Sequence, residues 1–433
     1  MLAFWGFCSI AVLLALIMTK RLSVIVALVL VPIVFGLLAG LGPNLGEYIL
    51  KGLKGVAPTG IMLTFAILYF SVMNDAGMFD PIIKGIIRFG GKDPVKIAIG
   101  TAVIAMVAHL DGSGASTFLV CIPALLPIYD QLGMDRKVLA CIAALGAGTM
   151  NIVPWGGPSL RAATSLEIEM TDLFNPVIPA FLAGLVTVVA VAYWLGKKEK
   201  NRIAAVTQST ASISDVEIEH ETDQSLKRPK LVIFNALLTV ATITCLVVKA
   251  LPLPAVFVVA LAIALVVNYP NVKMQQERIT AHGKAAILMI SIIFAAGVFT
   301  GILKNSGMIT ELAQGLVGVV PESFGGHLPV LTALTSVPAS LLFDPDSYYF
   351  GILPVLSSAA EALGASGTEV ARGAILGQMT TGFPVSPLTA STFLLVGLAG
   401  VDLADHQKKT IPLAFLVTLV MTIVAVLTGA ITV

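Results

Sequence analysis

The stretch Ala108-His109-Leu110-Asp111-Gly112-Ser113-Gly114-Ala115-Ser116-Thr117 lies between two apolar runs, 95–110 and 117–129. Crossing a bilayer core of about 30 Å takes about 20 helical residues, so neither run spans alone. Two short apolar helices joined by a polar, glycine-bearing tip read as a hairpin that enters and returns on one side, its backbone satisfied within the protein. Asp111 at such a tip needs a cation, a proton or a water-filled cavity, because an ionised carboxylate at that depth costs about 2.5–3.5 kcal/mol. Gly112 and Gly114 let the backbone turn, and Ser113, Ser116 and Thr117 offer oxygens to an ion.

Apolar runs recur along almost the whole chain of 433 residues, of which 57% are hydrophobic and 12% charged. Soluble proteins carry about 25% charged residues, so the bilayer is the solvent here. Lys and Arg (26) nearly balance Asp and Glu (25), which excludes the basic field that nucleic-acid binding requires. Four isolated cysteines, with no C-x-x-C and no metal-ligand spacing, read as small core residues. A first span is expected to be retained, since Lys20 and Arg21 follow the run beginning at Leu2 instead of preceding it.

A second hairpin is expected at about 327–363, with Phe343-Asp344-Pro345-Asp346-Ser347-Tyr348-Tyr349 at its tip. Short runs beside Gly/Pro-rich stretches, Pro154-Trp155-Gly156-Gly157-Pro158 and Gly382-Phe383-Pro384-Val385-Ser386-Pro387, read as helices broken midway, at about 138–168 and 369–400. Residues 196–230, with Lys197, Lys198, Lys200 and Arg202 at one end and Lys227, Arg228 and Lys230 at the other, read as a linker that the positive-inside rule puts in the cytoplasm. Across it, Asn74-Asp75-Ala76-Gly77-Met78 matches Lys304-Asn305-Ser306-Gly307-Met308, Asp111 faces Asp344, Pro154 faces Pro384 and Pro179 faces Pro412, in the same order. The expected architecture is therefore an all-α polytopic membrane protein of two inverted repeats, 1–195 and 231–433, with about ten full spans, two re-entrant helical hairpins (about 95–129 and 327–363) and two discontinuous helices. Inverted repeats with helices broken at corresponding places point to a secondary transporter in the cell membrane, its site where the breaks meet.

The substrate-binding candidates are Ser113, Gly114, Ser116, Thr117, Gly156, Gly157, Ser159, Arg161, Ser347, Ser386 and Thr389. Arg161 is the basic residue the span trace places well inside the membrane, and a guanidinium holds a carboxylate in a two-point fork, so an anionic substrate fits. The amides of Gly156 and Gly157 would add a helix N-terminus to it, unless Arg161 neutralises Asp111 or reaches for the interface. Candidates for metal or proton coupling are Asp111, Asn151, Asp344, Asp346 and His109, hard ligands suited to Mg²⁺, Ca²⁺, Na⁺ or a proton. Asp344 and Asp346 could equally cap the outgoing helix, and His109 could be a packing residue.

In Ala15-Leu16-Ile17-Met18-Thr19-Lys20-Arg21-Leu22-Ser23, the Leu110-Asp111-Gly112-x-Gly114 tip, Pro154-Trp155-Gly156-Gly157 with Arg161-Ala162-Ala163, and Phe343-Asp344-Pro345-Asp346-Ser347-Tyr348-Tyr349, the chain resembles the citrate-metal symporters of the CitMHS family, end to end. The resemblance implies import of citrate as a complex with a divalent metal of the Mg or Ca class, coupled to protons by alternating access, and a homodimer. Ser113 stands where the family often has an acidic residue, which bears on metal preference. A sodium-coupled di- or tricarboxylate carrier or sodium/proton antiporter of the same superfamily is the alternative; Arg161 argues against a pure cation exchanger. A reading of another class, an intramembrane hydrolase using Asp111 with Asp344 or Asp346, lacks a G-x-G-D signature. No G-x-x-x-x-G-K-[ST] is present to support ATP-driven transport. No enzyme and no organic cofactor are expected.

Overall fold

The structure, a computed structural model, describes residues 1–19, 21–81, 85, 88, 90–206, 224–248, 250–317 and 325–433. Lys20, Lys84 and the middle of the expected linker lie outside the described residues. Among the described residues the chain is helical, with no strand. Six helices among the described residues are long and apolar enough to cross a membrane: Gly42–Asp75, Pro94–Asp111, Met170–Ala205, Pro229–Leu246, Ala286–Asn305 and Leu403–Leu427. Pro94–Asp111, whose apolar run is expected to be too short, reaches 18 residues by taking in the turn His109–Asp111. The expected ten spans also include the shorter Leu2–Met18, Val24–Leu38 and Leu253–Asn268, which are 15 to 17 residues long.

At the first expected hairpin, the helix Pro94–Ala108 leads through a 3-10 turn, His109–Asp111, into Gly114–Gln131. Asp93 caps the ingoing helix by accepting from the Val95 N–H at 3.1 Å, and Pro94 occupies the first turn where its missing donor costs nothing. At the second, Leu328–Leu342 leads into a π-turn, Ser347–Ile352, and on to Leu353–Ala362. The first interrupted helix is Arg136–Met150 followed by Gly157–Leu166, and the second is Gly367–Thr381 followed by Ala390–Ala399. The order of long helix, hairpin, interrupted helix and long helix thus occurs before residue 206 and again after residue 272.

The expected linker begins later than its composition suggests, because the helix Ile178–Val206 runs on past Gly196. Its polar end is rich in Lys and Glu, which are strong helix formers, and Glu199 pairs one turn on with Arg202 at 2.6 Å. Polarity marked the point where the helix leaves the apolar layer, not its last residue.

The longest packing seam joins Leu45–Asp75 to Val272–Asn305. It has no side chains at its centre: a Cβ on Gly52 would strike the Gly297 carbonyl and lie 2.7 Å from the Gly301 Cα, and one on Gly301 would lie 2.6 Å from the Tyr48 carbonyl. Small residues let backbones approach where lipid supplies no hydrophobic drive. Ion pairs tie the halves at their polar ends: Lys137 to Asp405 at 2.7 Å, Lys304 to Glu167 at 2.6 Å, and Arg278 to Asp75 at 3.1 Å, with His282 Nε2 also 2.7 Å from Asp75. The cysteines are free, Cys121 and Cys141 buried in the core.

Candidate functional site

At the first tip, Asp111 is buried, 7% exposed. Gly112 turns the chain with φ +71°, a conformation that side chains resist, and this brings the Ser113 N–H to Asp111 Oδ1 at 2.8 Å. The Ser116 hydroxyl donates to Oδ2. The Thr117 hydroxyl donates to the Ser113 carbonyl at 2.8 Å, so its oxygen accepts from His109 Nδ1 at 2.7 Å, and the proton of a neutral His109 is on Nδ1. Neither His109 Nε2 nor Asn151 Oδ1, both buried, has a hydrogen-bond partner among the described residues.

The second tip has the same construction. Asp344 Oδ1 accepts from the N–H groups of Asp346 (2.9 Å) and Ser347 (3.0 Å), and Oδ2 accepts from the Ser347 hydroxyl at 2.7 Å. Asp344 therefore caps the outgoing turn, leaving Asp346 to project. Asp346 meets Arg161, with Nε 2.5 Å from Oδ1 and the two side chains 12% and 13% exposed. Arg161 is thus held by Asp346 of the second tip, not by Asp111.

Break and half-helix around Arg161 are braced internally. The Ser159 hydroxyl donates to the Ile152 carbonyl at 2.8 Å, and the Gly156 N–H donates to the Val153 carbonyl at 2.7 Å. The Gly156 amide, expected as an anion donor, is paired within the break here. A Cβ on Gly157 would lie 2.8 Å from Arg161 Nη1, so that glycine leaves room for the guanidinium to lie back over its own helix. Trp155 Nε1 donates to the Leu110 carbonyl at 2.7 Å and ties this break to the first tip.

The second break is neutral and closed on itself. The hydroxyls of Thr389 and Thr392 donate to the Phe383 carbonyl at 2.7 and 2.8 Å, and the Ser386 hydroxyl accepts from the Leu388 N–H at 3.2 Å. His406 Nε2 reaches the Pro384 carbonyl at 2.9 Å, and the Gln407 amide donates to the Val385 carbonyl at 3.0 Å. Phe383 lies flat between His109 (centroids 5.1 Å, 20°) and Phe118 (5.6 Å, 16°), and a Cβ on Gly114 would run into its ring.

The structure thus brings most of the candidates into one linked network: Leu110 to Trp155, Arg161 to Asp346, and His109 to Phe383. Several candidate hydroxyls, those of Ser159, Ser386 and Thr389, brace backbone. Trp155, Phe383, His406, Gln407 and Tyr349 were not among the candidates; the Gly/Pro pattern marks the breaks that Trp155 and Phe383 occupy, but nothing in the sequence signals His406 or Gln407 as their braces. Among the described residues no three His, Cys, Asp or Glu side chains gather into a metal cage. Beside the first break lies a wholly apolar cavity of 170 Å³, lined by Leu110, Val153, Trp155 and Phe174 among others. A larger one of 800 Å³ lies between Gly55–Met62, Ala163–Thr171 and Ala250–Pro254.

The family model described as citrate transporter, CitMHS, matches residues 13–377. A curated protein of Bacillus subtilis (strain 168) named citrate transporter is 50% identical over 431 residues, covering all of both chains. A second from the same organism, named Mg(2+)/citrate complex secondary transporter, is 46% identical over 434 residues, again covering all of both. Among solved structures, the Alcanivorax borkumensis YdaH transporter superposes with TM-score 0.60 at 14% identity over 90% of each chain. Neisseria gonorrhoeae MtrF follows with TM-score 0.55 at 14% identity, over 90% of this chain and 85% of that one. At such identity these two show a shared fold alone.

Proposed function

Because the chain belongs to the citrate transporter family CitMHS, whose members are multi-pass membrane transporters of the cell membrane and not enzymes, we propose that it imports citrate as a complex with a divalent cation, Mg²⁺ foremost, by proton symport. The observation that carries this reading is the Arg161–Asp346 pair, a guanidinium holding a carboxylate in the apolar interior. Two buried charges taken out of water repay their desolvation poorly as a stability device. They make better sense as an exchangeable pair, in which Asp346 occupies the place of a substrate carboxylate.

The proposed cycle follows from charge balance. Citrate offers a carboxylate to Arg161 and Asp346 is released from it. A carboxylate so released would stand as an unpaired charge in apolar surroundings, which a proton loaded with the substrate would cancel. Substrate and proton therefore load together, and on the other side they leave together as Asp346 returns to Arg161. The metal is cargo, wrapped by citrate's own oxygens, and the tip carboxylates Asp111 and Asp344 are the proposed groups to complete its shell or to take part in coupling. The recurrent order of elements in the two halves supports inverted repeats and alternating access about the tips and breaks. Neither the family nor the two relatives above support the sodium-coupled alternative. The relative's name supports the magnesium complex as cargo.

The test is uptake of labelled citrate into proteoliposomes, with and without Mg²⁺, at an imposed proton gradient. Accumulation is expected only with both the cation and an inward proton gradient. Equal accumulation from metal-free citrate, or accumulation driven by sodium at zero proton gradient, would sink the proposal.

A further inference from the structure

Glu167 closes the half-helix that carries Arg161, Gly157–Leu166, and does so against its backbone preference. It holds φ +54° and ψ +40°, the left-handed conformation in which a β-carbon is crowded. The other nine residues of positive φ among the described residues are all glycine. Gly400 is one of them, and it holds the corresponding place after Ala390–Ala399. The two caps are built alike: the Ile168 N–H donates to the Ala163 carbonyl at 3.0 Å, and the Val401 N–H to the Val396 carbonyl at 3.0 Å. Glycine would serve the first turn as well as it serves the second, so the use of Glu167 must lie in what its side chain reaches.

It reaches both helices of the long seam. Glu167 Oε2 accepts from Lys304 Nζ at 2.6 Å, in the last turn of Val272–Asn305, and a Cβ on Gly55 of Leu45–Asp75 would lie 3.3 Å from its Oε1. The other end of the seam is fastened differently. There Asp75, Arg278 and His282 all belong to the seam helices themselves, and the Arg228 N–H, at the close of the linker, donates to the Ala76 carbonyl at 2.9 Å. Glu167 lies towards the opposite face, since Ile178–Val206 carries the chain about 43 Å from there to the linker. On that face the tie leaves the seam and holds the half-helix. Lys304 is 49% exposed and Glu167 22%, so water screens the pair and it parts at little cost. The 800 Å³ cavity lies between the half-helix and Gly55–Met62, beside the same carboxylate. A weak tie that holds a strained cap next to open space makes a bistable element. We propose that Glu167 and Lys304 form a latch, which fastens the Arg161 half-helix to the seam in the resting structure and opens in each transport cycle, the cap relaxing as it parts. This rests on the reading of that half-helix as part of the substrate site.

The experiment bridges Glu167→Cys to Lys304→Cys in the full-length carrier with a short bifunctional thiol reagent that a reductant cleaves, and follows magnesium citrate uptake in proteoliposomes. The wild-type chain, which has cysteines of its own, is treated alike. A contact that never opens can be bridged without consequence, so the latch requires uptake to fall at least about tenfold on bridging and to return on reduction. Glu167→Gly should keep or raise the thermal midpoint in detergent, because glycine takes the left-handed cap without strain, and should change the maximal uptake rate at least about threefold. Exchanging the charges, Glu167→Lys with Lys304→Glu, should bring the rate back towards wild type. Full uptake through the bridged pair overturns the latch. So does a Glu167→Gly variant with a lowered midpoint and the wild-type rate, which is the behaviour of a brace. Arg161→Lys, measured alongside, separates the two readings: a raised KM there with uptake indifferent to the bridge leaves Arg161 its role and removes the latch, and an unchanged KM with uptake stopped by the bridge does the reverse.

Discussion

The second tip crosses the first break, and the first tip crosses the second break, but the two crossings are made of different materials. One is ionic: Arg161 on Asp346. The other is aromatic: Phe383 between His109 and Phe118, pressed on Gly114, with the backbone of its break closed off by Thr389, Thr392, His406 and Gln407. The tips themselves are alike, each an aspartate locked by a backbone N–H and a serine hydroxyl. The contrast teaches that a shared local geometry need not carry a shared task. The ionic crossing holds two exchangeable charges, and the aromatic crossing holds packed rings over a break whose Phe383, Pro384 and Val385 carbonyls are already paired.

Substitutions at both crossings test that contrast. The largest effect is expected from Arg161→Gln, which strands Asp346: a loss of about 3–5 kcal/mol in stability, with citrate uptake down more than about 100-fold. Adding Asp346→Asn should restore the thermal midpoint without restoring uptake, and a double variant that transports normally would show the ionic crossing to be structural. Next are Asp111→Asn and Asp344→Asn. Each trades a charged acceptor for a neutral one at a cost of about 1.5–3 kcal/mol, and uptake measured across a pH series should fall about tenfold in both and lose its wild-type pH profile. Loss in one alone would mean that the two tips, for all their likeness, do different work.

At the aromatic crossing, Gly114→Ala pushes a methyl group into the Phe383 ring and should destabilise by about 1–3 kcal/mol. Phe383→Leu in the same chain should recover part of the lost thermal midpoint; no recovery would place the strain elsewhere. The smallest effect belongs to Thr389→Val, about 1 kcal/mol in stability from a lost brace, with KM for magnesium citrate within about twofold of wild type. A tenfold rise there would put substrate on the second break and dissolve the distinction.

The turns at Asp111 and Asp344 and both breaks were legible in the sequence because each is a local conflict: a charged stretch with glycine or proline between apolar runs, or a glycine and proline cluster where a helix ought to continue. Asp111 and Arg161 stood out for the same reason, as charges where the solvent is hydrocarbon. The pairings were not legible. Arg161 and Asp346 are 185 positions apart, and whether the guanidinium meets Asp346 or Asp111 depends on how two hairpins dock, which no periodicity encodes. The helix continuing to Val206 and the π-turn at Ser347 were equally hidden. In the first, helix propensity persists after hydrophobicity ends; in the second, backbone winding follows from a tip held in place by Asp344.

Gly52, Gly297 and Gly301 give the long seam a mechanical character. Elsewhere, packed helices can shear by letting side chains change rotamer and settle into the next groove. Here backbone rests on backbone, so sliding would require one helix to climb over the other's carbonyls. The contact behaves as a rivet, free to turn a little and unable to travel. Spin labels placed along the two helices on either side of it should keep their separation throughout turnover, giving a fixed ruler against which the excursions of the tips can be measured.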